Sequence, residues 1–299
     1  MGKTFRSNGK LLLTGEYFVL DGADALALPT QKGQLMVIHP NDTKLLEWRS
    51  FDAQNKIWFE GTFGLNFKMV ISSDKKTADT LINVLKECMK MNPLFNPFGK
   101  TVETFLEFPN NWGLGSSSTF INNLAQWAQV NPFELLWKSF GGSGYDIASA
   151  FYNQHILYSV KNNKPLIKEV SFTPVFQNQL YFIHLNQKQN SKEGIIHYKS
   201  LATNKVKIIP KLNNITEKIL ESKTLKEFEN QLEEHENIIS KALNIKRIQN
   251  QLFSDYKGIV KSLGAWGGDF VLVTFREGMH EYLNQKGYKT IIPFNEMVK

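Results

Sequence analysis

Between a strand-like and a helix-like stretch lies Pro109-Asn-Asn-Trp-Gly113-Leu114-Gly115-Ser116-Ser117-Ser118-Thr119, a string whose residue types can hold an anion. Glycines let backbone N–H groups converge, a helix start adds partial positive charge, and small hydroxyls can bond phosphate or magnesium. The same string also fits a glycine turn followed by a serine helix cap. It is neither a Walker-type loop, since no Gly-Lys-Ser/Thr follows, nor the dinucleotide pattern G-x-G-x-x-G.

Three further segments carry candidate chemistry. Gly141-Gly-Ser-Gly144-Tyr145-Asp146-Ile147-Ala148 places one carboxylate after a flexible approach and at a helix start, where it could accept a hydroxyl proton or simply cap the helix. Gly9-Lys10 leads through an apolar run to Gly15-Glu16-Tyr17 and Asp21-Gly22. Lys10 could contact a phosphate or hold Asp146 ionised, or be an exposed lysine at a strand start. The last is Lys261-Ser262-Leu-Gly264-Ala265-Trp266-Gly267-Gly268-Asp269.

In this order, the segments resemble the motifs of the GHMP kinases. Pro109 to Ser117 resembles their second motif, P-x-x-x-G-L-G-S-S. GSGYDIA is similar to the S-G-x-D signature of mevalonate kinases and closer still to the GSGFDVA form of phosphomevalonate kinases. Gly-Glu-Tyr in place of Gly-Glu-His, and the Gly-Gly-Asp ending at 269, lean the same way. The resemblance spans Lys10 to Asp269, although the helices from about 205 to 250 carry no signature.

The resemblance implies an α+β, two-lobed GHMP fold, with a ribosomal-protein-like N-terminal lobe over residues 1–170, a ferredoxin-like C-terminal lobe over 171–299 and the active site in a cleft between them. ATP and Mg2+ are the implied ligands. Gly113, Leu114, Gly115, Ser116, Ser117 and Ser118 would wrap the triphosphate, with Ser117 on magnesium. Asp146 and Lys10 would be catalytic, and Glu16, Tyr17, Gly144, Gly267, Gly268 and Asp269 would surround a small acceptor, phosphomevalonate or mevalonate of isoprenoid precursor synthesis. A phosphate acceptor needs positive neighbours, for which Lys188, Lys192 and His197 are candidates beside the alternative of a solvated loop. Two departures stand out. Trp266 replaces the usual middle glycine of the third motif, and Glu134 is out of register with the helix-borne magnesium glutamate of mevalonate kinases. They motivate an alternative, a noncatalytic nucleotide or metabolite sensor on the same fold; a kinase for another small alcohol is a further one.

The elements that must position these groups can be read from periodicity and turn residues. Strands are expected at 10–20, 35–39, 45–48, 57–59, 67–71, 101–108, 155–160, 180–185, 270–275 and 290–293. Helices are expected at 76–91, 119–130, from 132, at 145–152, across about 211–243, at 248–263 and at 278–286. Residues 161–165 read as a hairpin turn or an inter-lobe connection.

Composition bounds the rest. With 299 residues, 42% of them hydrophobic, the chain can bury a substantial core. A formal charge of +7 suits an anionic partner, yet the lysines are scattered, which equally fits a solvated surface; nucleic-acid binding rests on charge alone. The single cysteine, Cys88, cannot form an intramolecular disulfide, and the apolar run near the N-terminus is interrupted by Glu16. The expectation is a cytoplasmic monomer or homodimer without nucleic-acid or membrane partners.

Overall fold

The computed structural model describes residues 2–162, 164–187, 191–266 and 268–299, and nothing of the side chains of Ser191 and Lys192. The chain divides into two compact units. The first comprises Met1–Gly9, Lys32–Asn110 and Leu114–Phe151; the second comprises Lys10–Gln31, Asn111–Gly113 and Tyr152–Lys299. The division is discontinuous in sequence, whereas sequence reading placed a single boundary near residue 170. Two long strands, β1 (Lys3–Leu12) and β2 (Ala25–Pro40), begin in one unit and end in the other.

In the first unit, β2 is followed by β3 (Leu46–Phe51), β4 (Ile57–Phe63), β5 (Met69–Ser72), helix α1 (Lys75–Met91), β6 (Lys100–Leu106) and helices α2 (Ser116–Ala128), α3 (Pro132–Ser139) and α4 (Tyr145–Phe151). The strand order is β5-β4-β3-β6-β2, with Gln34 opposite Leu106 and Pro40 opposite Lys100. β3 and β6 run parallel, which requires a long crossover, here through β4, β5 and α1. Alternation along the strands turns Met36, Ile38, Trp48, Phe59, Phe63 and Val102 inward, where they meet Ala78, Leu81 and Leu85 of α1 and Ile121 and Leu124 of α2. Asp74 caps α1 by accepting from the Thr77 N–H at 2.7 Å. Cys88 on α1 is buried, and burial pushes its thiol up to about 12, leaving it unreactive.

A buried polar network fixes α2 against β1 and β2. Ser7 Oγ donates to Asn123 Oδ1 at 2.7 Å and accepts from Asn122 Nδ2 at 2.8 Å. Asn123 Nδ2 donates to the Gln34 carbonyl at 3.0 Å, and Thr119 Oγ1 donates to Gln34 Oε1 at 2.9 Å. Directional bonds of this kind set the rotation of a helix in a way that methyl contacts alone do not.

The second unit contains the hairpin β7 (Ile156–Lys161) and β8 (Lys164–Glu169), to which residues 25–27 of β2 add. After it come β9 (Leu180–His184), helices α5 (Ser191–Ser200), α6 (Lys205–Glu221), α7 (Leu225–Leu243) and α8 (Ile248–Leu252), β10 (Val260–Ser262), β11 (Phe270–Thr274), α9 (Met279–Gln285), β12 (Ile291–Pro293) and α10 (Phe294–Met297). The antiparallel order β10-β11-β9-β12 is that of a ferredoxin-like βαββαβ sheet, with several helices in its first crossover. Thr224 and Glu227 form a capping box at the start of α7.

Three expectations need correction. The strand expected at 10–20 is β1, which starts at Lys3 and ends at Leu12; Tyr17 takes a left-handed φ of 60°, and Phe18–Asp21 is a short 3-10 helix. The helix expected at 248–263 ends at Leu252, because Val260–Ser262 pairs with β11 and tertiary strand pairing overrides helical spacing. Ser191 to Gly194, read as a loop, opens α5. Lys161 pairs with Lys164 and Val160 with Pro165, so of the two readings of this segment the hairpin is the one that fits.

The Ser7 network yields a stability prediction. Ser7→Ala strands two buried amide groups and is expected to cost about 1–3 kcal/mol. Urea unfolding would show it as a lower midpoint at unchanged slope, whereas an unchanged midpoint would mean that the network contributes nothing to stability.

Candidate active site

In the first unit, the glycine string leads directly into α2. Gly115 is the N-cap in the left-handed region, φ 88°, so the chain turns sharply and the first N–H groups of α2 have no intrahelical acceptor. Ser118 Oγ donates back to the Gly115 carbonyl at 2.8 Å and is buried, which makes it an internal brace of the turn. Ser117 is exposed and Ser116 half-buried; Leu114 is buried and anchors the loop from beneath. The N-cap is therefore Gly115, with no serine cap; Ser118 braces the turn while Ser116 and Ser117 stay accessible.

Ser116 and Ser117 also line a cavity of about 300 Å³. Trp48, Trp58, Phe59, Phe120 and Phe140 provide its aromatic wall, and Asn110, Lys76, Thr77 and Thr80 contribute polar groups. The wall is pre-arranged: Trp48 Nε1 donates to Ser50 Oγ at 3.1 Å, Thr104 Oγ1 donates to the same oxygen at 3.0 Å, and Trp48 meets Phe120 edge to face. A flat apolar slot beside a helix start can take an aromatic base on one side and its phosphates on the other. Sequence reading missed these residues, because the aromatics come from two strands, a helix and a loop and share no motif.

Asp146 lies in the first turn of α4, half-buried, with Oδ1 accepting from the Ile147 N–H at 3.0 Å. It therefore satisfies one first-turn N–H from within the helix and is not its N-cap. Gly144 precedes it with φ 94°. α4 packs on α2, and Ile147 shares the core with Ile121 and Leu124, so a single hydrophobic cluster carries both the glycine loop's helix and the aspartate's helix. Asp146 does not line the aromatic cavity. Glu134 is exposed in the first turn of α3, beside the Asn131 cap, as expected of a surface glutamate.

In the second unit, Lys10 Nζ donates to the Gly113 carbonyl at 2.9 Å, which ties the first motif to the start of the glycine string. Gly113 has φ 63°, and a Cβ there would overlap the Asp269 carboxylate, so the residue has to be glycine on two counts. Trp112 stacks its edge on Phe270, and the Asn111 carbonyl meets His184 Nε2 at 3.2 Å; both anchor 111–113 on β9 and β11. Lys10, Gly113 and Asp269 are thus neighbours. Gly268 is buried. Gly267 and Lys188 lie outside the described residues, as does the side chain of Lys192. His197 is on α5 with Nε2 against the Leu243 carbonyl at 2.9 Å.

Glu16 and Tyr17 are both buried. The Tyr17 hydroxyl donates to the Ala265 carbonyl at 2.7 Å, and its ring stacks on Tyr198. Trp266, in a left-handed conformation at φ 49°, packs into the same cluster. Glu16 Oε1 accepts from Lys261 Nζ at 2.5 Å, and Lys261 also reaches Glu236 Oε1 at 3.4 Å and the Ser262 carbonyl at 2.8 Å. Burial raises the Glu16 carboxyl to about 7 despite the adjacent ammonium, and burial likewise raises Glu236. His235 lies 3.3 Å from Glu16, but burial holds its ring neutral, and its Nε2 accepts the Gly15 N–H, so this contact is not an ion pair. Among the described residues, Glu16, His235 and Glu236 are close enough to share a cation, and the Lys261 ammonium already lies against both carboxylates.

No protein-family profile and no curated protein matches this sequence. Solved structures do. The Methanococcus jannaschii mevalonate kinase aligns with a TM-score of 0.71 at 17% identity over 98% of this chain and 97% of that one. The Streptococcus pneumoniae phosphomevalonate kinase in complex with phosphomevalonate and AMPPNP aligns at 0.69 and 15%, over 95% of each chain. The Lactococcus lactis galactokinase complexed with galactose aligns at 0.70 and 12%, over 100% of this chain and 93% of that one. Agreement at this level over nearly the whole length, with the ferredoxin-like strand order and the glycine string at a helix start, means that the chain has the fold of the GHMP kinases.

Proposed function

We propose that this chain is an ATP-dependent small-molecule kinase whose acceptor is phosphomevalonate or mevalonate. The observation that carries the reading is the glycine loop opening α2, with Ser116 and Ser117 on the wall of the aromatic cavity. The base of ATP would occupy that cavity and its phosphates the first turn of α2. Support for the acceptor comes from the GSGYDIA and Gly-Gly-Asp strings and from the phosphomevalonate named for one structural relative.

Magnesium arriving on ATP takes most of its ligands from phosphate and water and needs only one or two protein oxygens. The exposed Ser117 hydroxyl, a hard donor beside the phosphate cradle, fits that role. When bound, the ion would neutralise charge on the phosphates. The chain's own residues would do the rest. First-turn N–H groups of α2 would hold the phosphate oxygens, and electrostatic stabilisation of this kind dominates phosphoryl transfer. Asp146 would take the proton of an acceptor hydroxyl or orient it; for an acceptor that is already a phosphate, Lys10 would matter more through its positive charge.

ADP release with magnesium and ATP over a panel of mevalonate, phosphomevalonate, homoserine and galactose tests this reading. Acceptor-dependent turnover is expected, and Asp146→Ala should lower kcat by about 100-fold or more with ATP affinity retained. ATP binding without turnover on any acceptor would instead favour the sensor alternative. A second prediction concerns the cavity: Trp58→Ala should weaken ATP binding about 10-fold while leaving acceptor KM unchanged. Calorimetric titration with a nonhydrolysable ATP analogue measures this, and an unaltered affinity would place the base elsewhere.

A further inference from the structure

The second unit contains a group of ionisable residues that no proposed catalytic step uses. Glu16, His235, Glu236 and Lys261 have no exposed side-chain surface. They come from the turn after β1, from α7 and from β10, and the shortest bond joins residues 245 apart in sequence. An apolar pair would fill the space without desolvating charge, and a buried ion pair adds little net stability over such a pair. What it adds is direction, since an ammonium held by two carboxylates and a carbonyl permits few arrangements of the strands that carry them.

Both ends of the bond lead to the expected phosphate-handling segments. Glu16 follows Gly15, and the strand before it carries Lys10, bonded to the Gly113 carbonyl. Lys261 is on β10, three residues before Gly264, where the loop to Asp269 begins. A second tie runs parallel to the first, from the Tyr17 hydroxyl to the Ala265 carbonyl. The Gly15 N–H on His235 Nε2 fastens the turn to α7 as well. We propose that Lys261 is a positioning residue, a buried cation that locks the Gly15–Tyr17 turn to residues 264–266 and so sets where that segment stands relative to Lys10. The role in catalysis rests on the kinase reading; the mechanical role does not.

The geometry constrains the charge state. His235 faces Glu16 as a neutral ring, Glu236 faces Lys261, and Arg247, bonded to Glu233 and Asn237, adds positive charge that acts on Glu236. Lys261→Met alone would leave two buried carboxyls without their cation, and it is expected to unfold the chain. The informative variant is Glu16→Gln/Lys261→Met, which removes one charge of each sign.

In that variant Glu236 still lacks the Lys261 ammonium, so Tm is expected to recover only part of the loss caused by Lys261→Met. Amide exchange at residues 13–17 and 262–266 should still be about 10-fold faster, with β9 and α7 protected as before. Turnover should fall at least 10-fold with little change in ATP KM. Glu16→Gln, which leaves Lys261 matched to Glu236, is the second variant if the double one fails to fold, and it should loosen the same two segments. Unchanged exchange there in a folded variant overturns the positioning role whatever the activity. Restored exchange and turnover together with restored Tm would also overturn it, in favour of charge balance alone. If the wild type turns over no acceptor, the kinase reading fails, and the exchange data alone decide the role of Lys261.

Discussion

The glycine loop that opens α2 depends on one backbone reversal. Gly113 and Gly115 both sit in the left-handed region, where a side chain is strained, and at Gly113 the Asp269 carboxylate also occupies the space a Cβ would need. The reversal lets α2 begin abruptly, with its first N–H groups at the mouth of the aromatic cavity. Without it, the cavity would be an apolar hole and the helix start an ordinary capped end.

Each unit contains a buried polar cluster, and the two differ in energetic character. Under α2, neutral amides and hydroxyls of Ser7, Gln34, Thr119, Asn122 and Asn123 pair with one another, each bond contributing about 1 kcal/mol net and each orphaned group costing more. In the second unit, the cluster is charged, with Lys261 between Glu16 and Glu236. Desolvating such groups costs several kcal/mol per ion, offset only by good geometry. Burial correspondingly raises the Glu16 and Glu236 carboxyls. Trp266 and Tyr17 add a packed aromatic cluster around the same loop, where the related motif has a glycine in place of the tryptophan.

Much of the architecture was legible from local pattern. Helix α1 was placed within a residue or so because Ala78, Leu81, Leu85 and Met89 recur at helical spacing and Asn92-Pro93 ends it. β6 and β11 were legible from alternation and from apolar runs. Glycine spacing marked the loop before α2, and the carboxylate after Gly144 marked the start of α4. The failures fall where a segment's neighbours outvote its own periodicity. β10 has helical spacing but pairs with β11, and the end of β1 is set by a turn that packs on α7.

The sequence by itself determined the chemistry available: which residues can cradle phosphate, which carboxylate stands at a helix start, and that strands and helices interleave, because these follow from side-chain type and from spacings of a few residues. Only the tertiary structure decided which groups meet. Lys10 finds the Gly113 carbonyl across 103 positions and Lys261 finds Glu16 across 245, while Trp48, Trp58, Phe120 and Phe140 converge on one cavity from separate elements. Such long-range pairings follow from strand order and helix packing summed over a whole unit, and no local window of sequence carries that information.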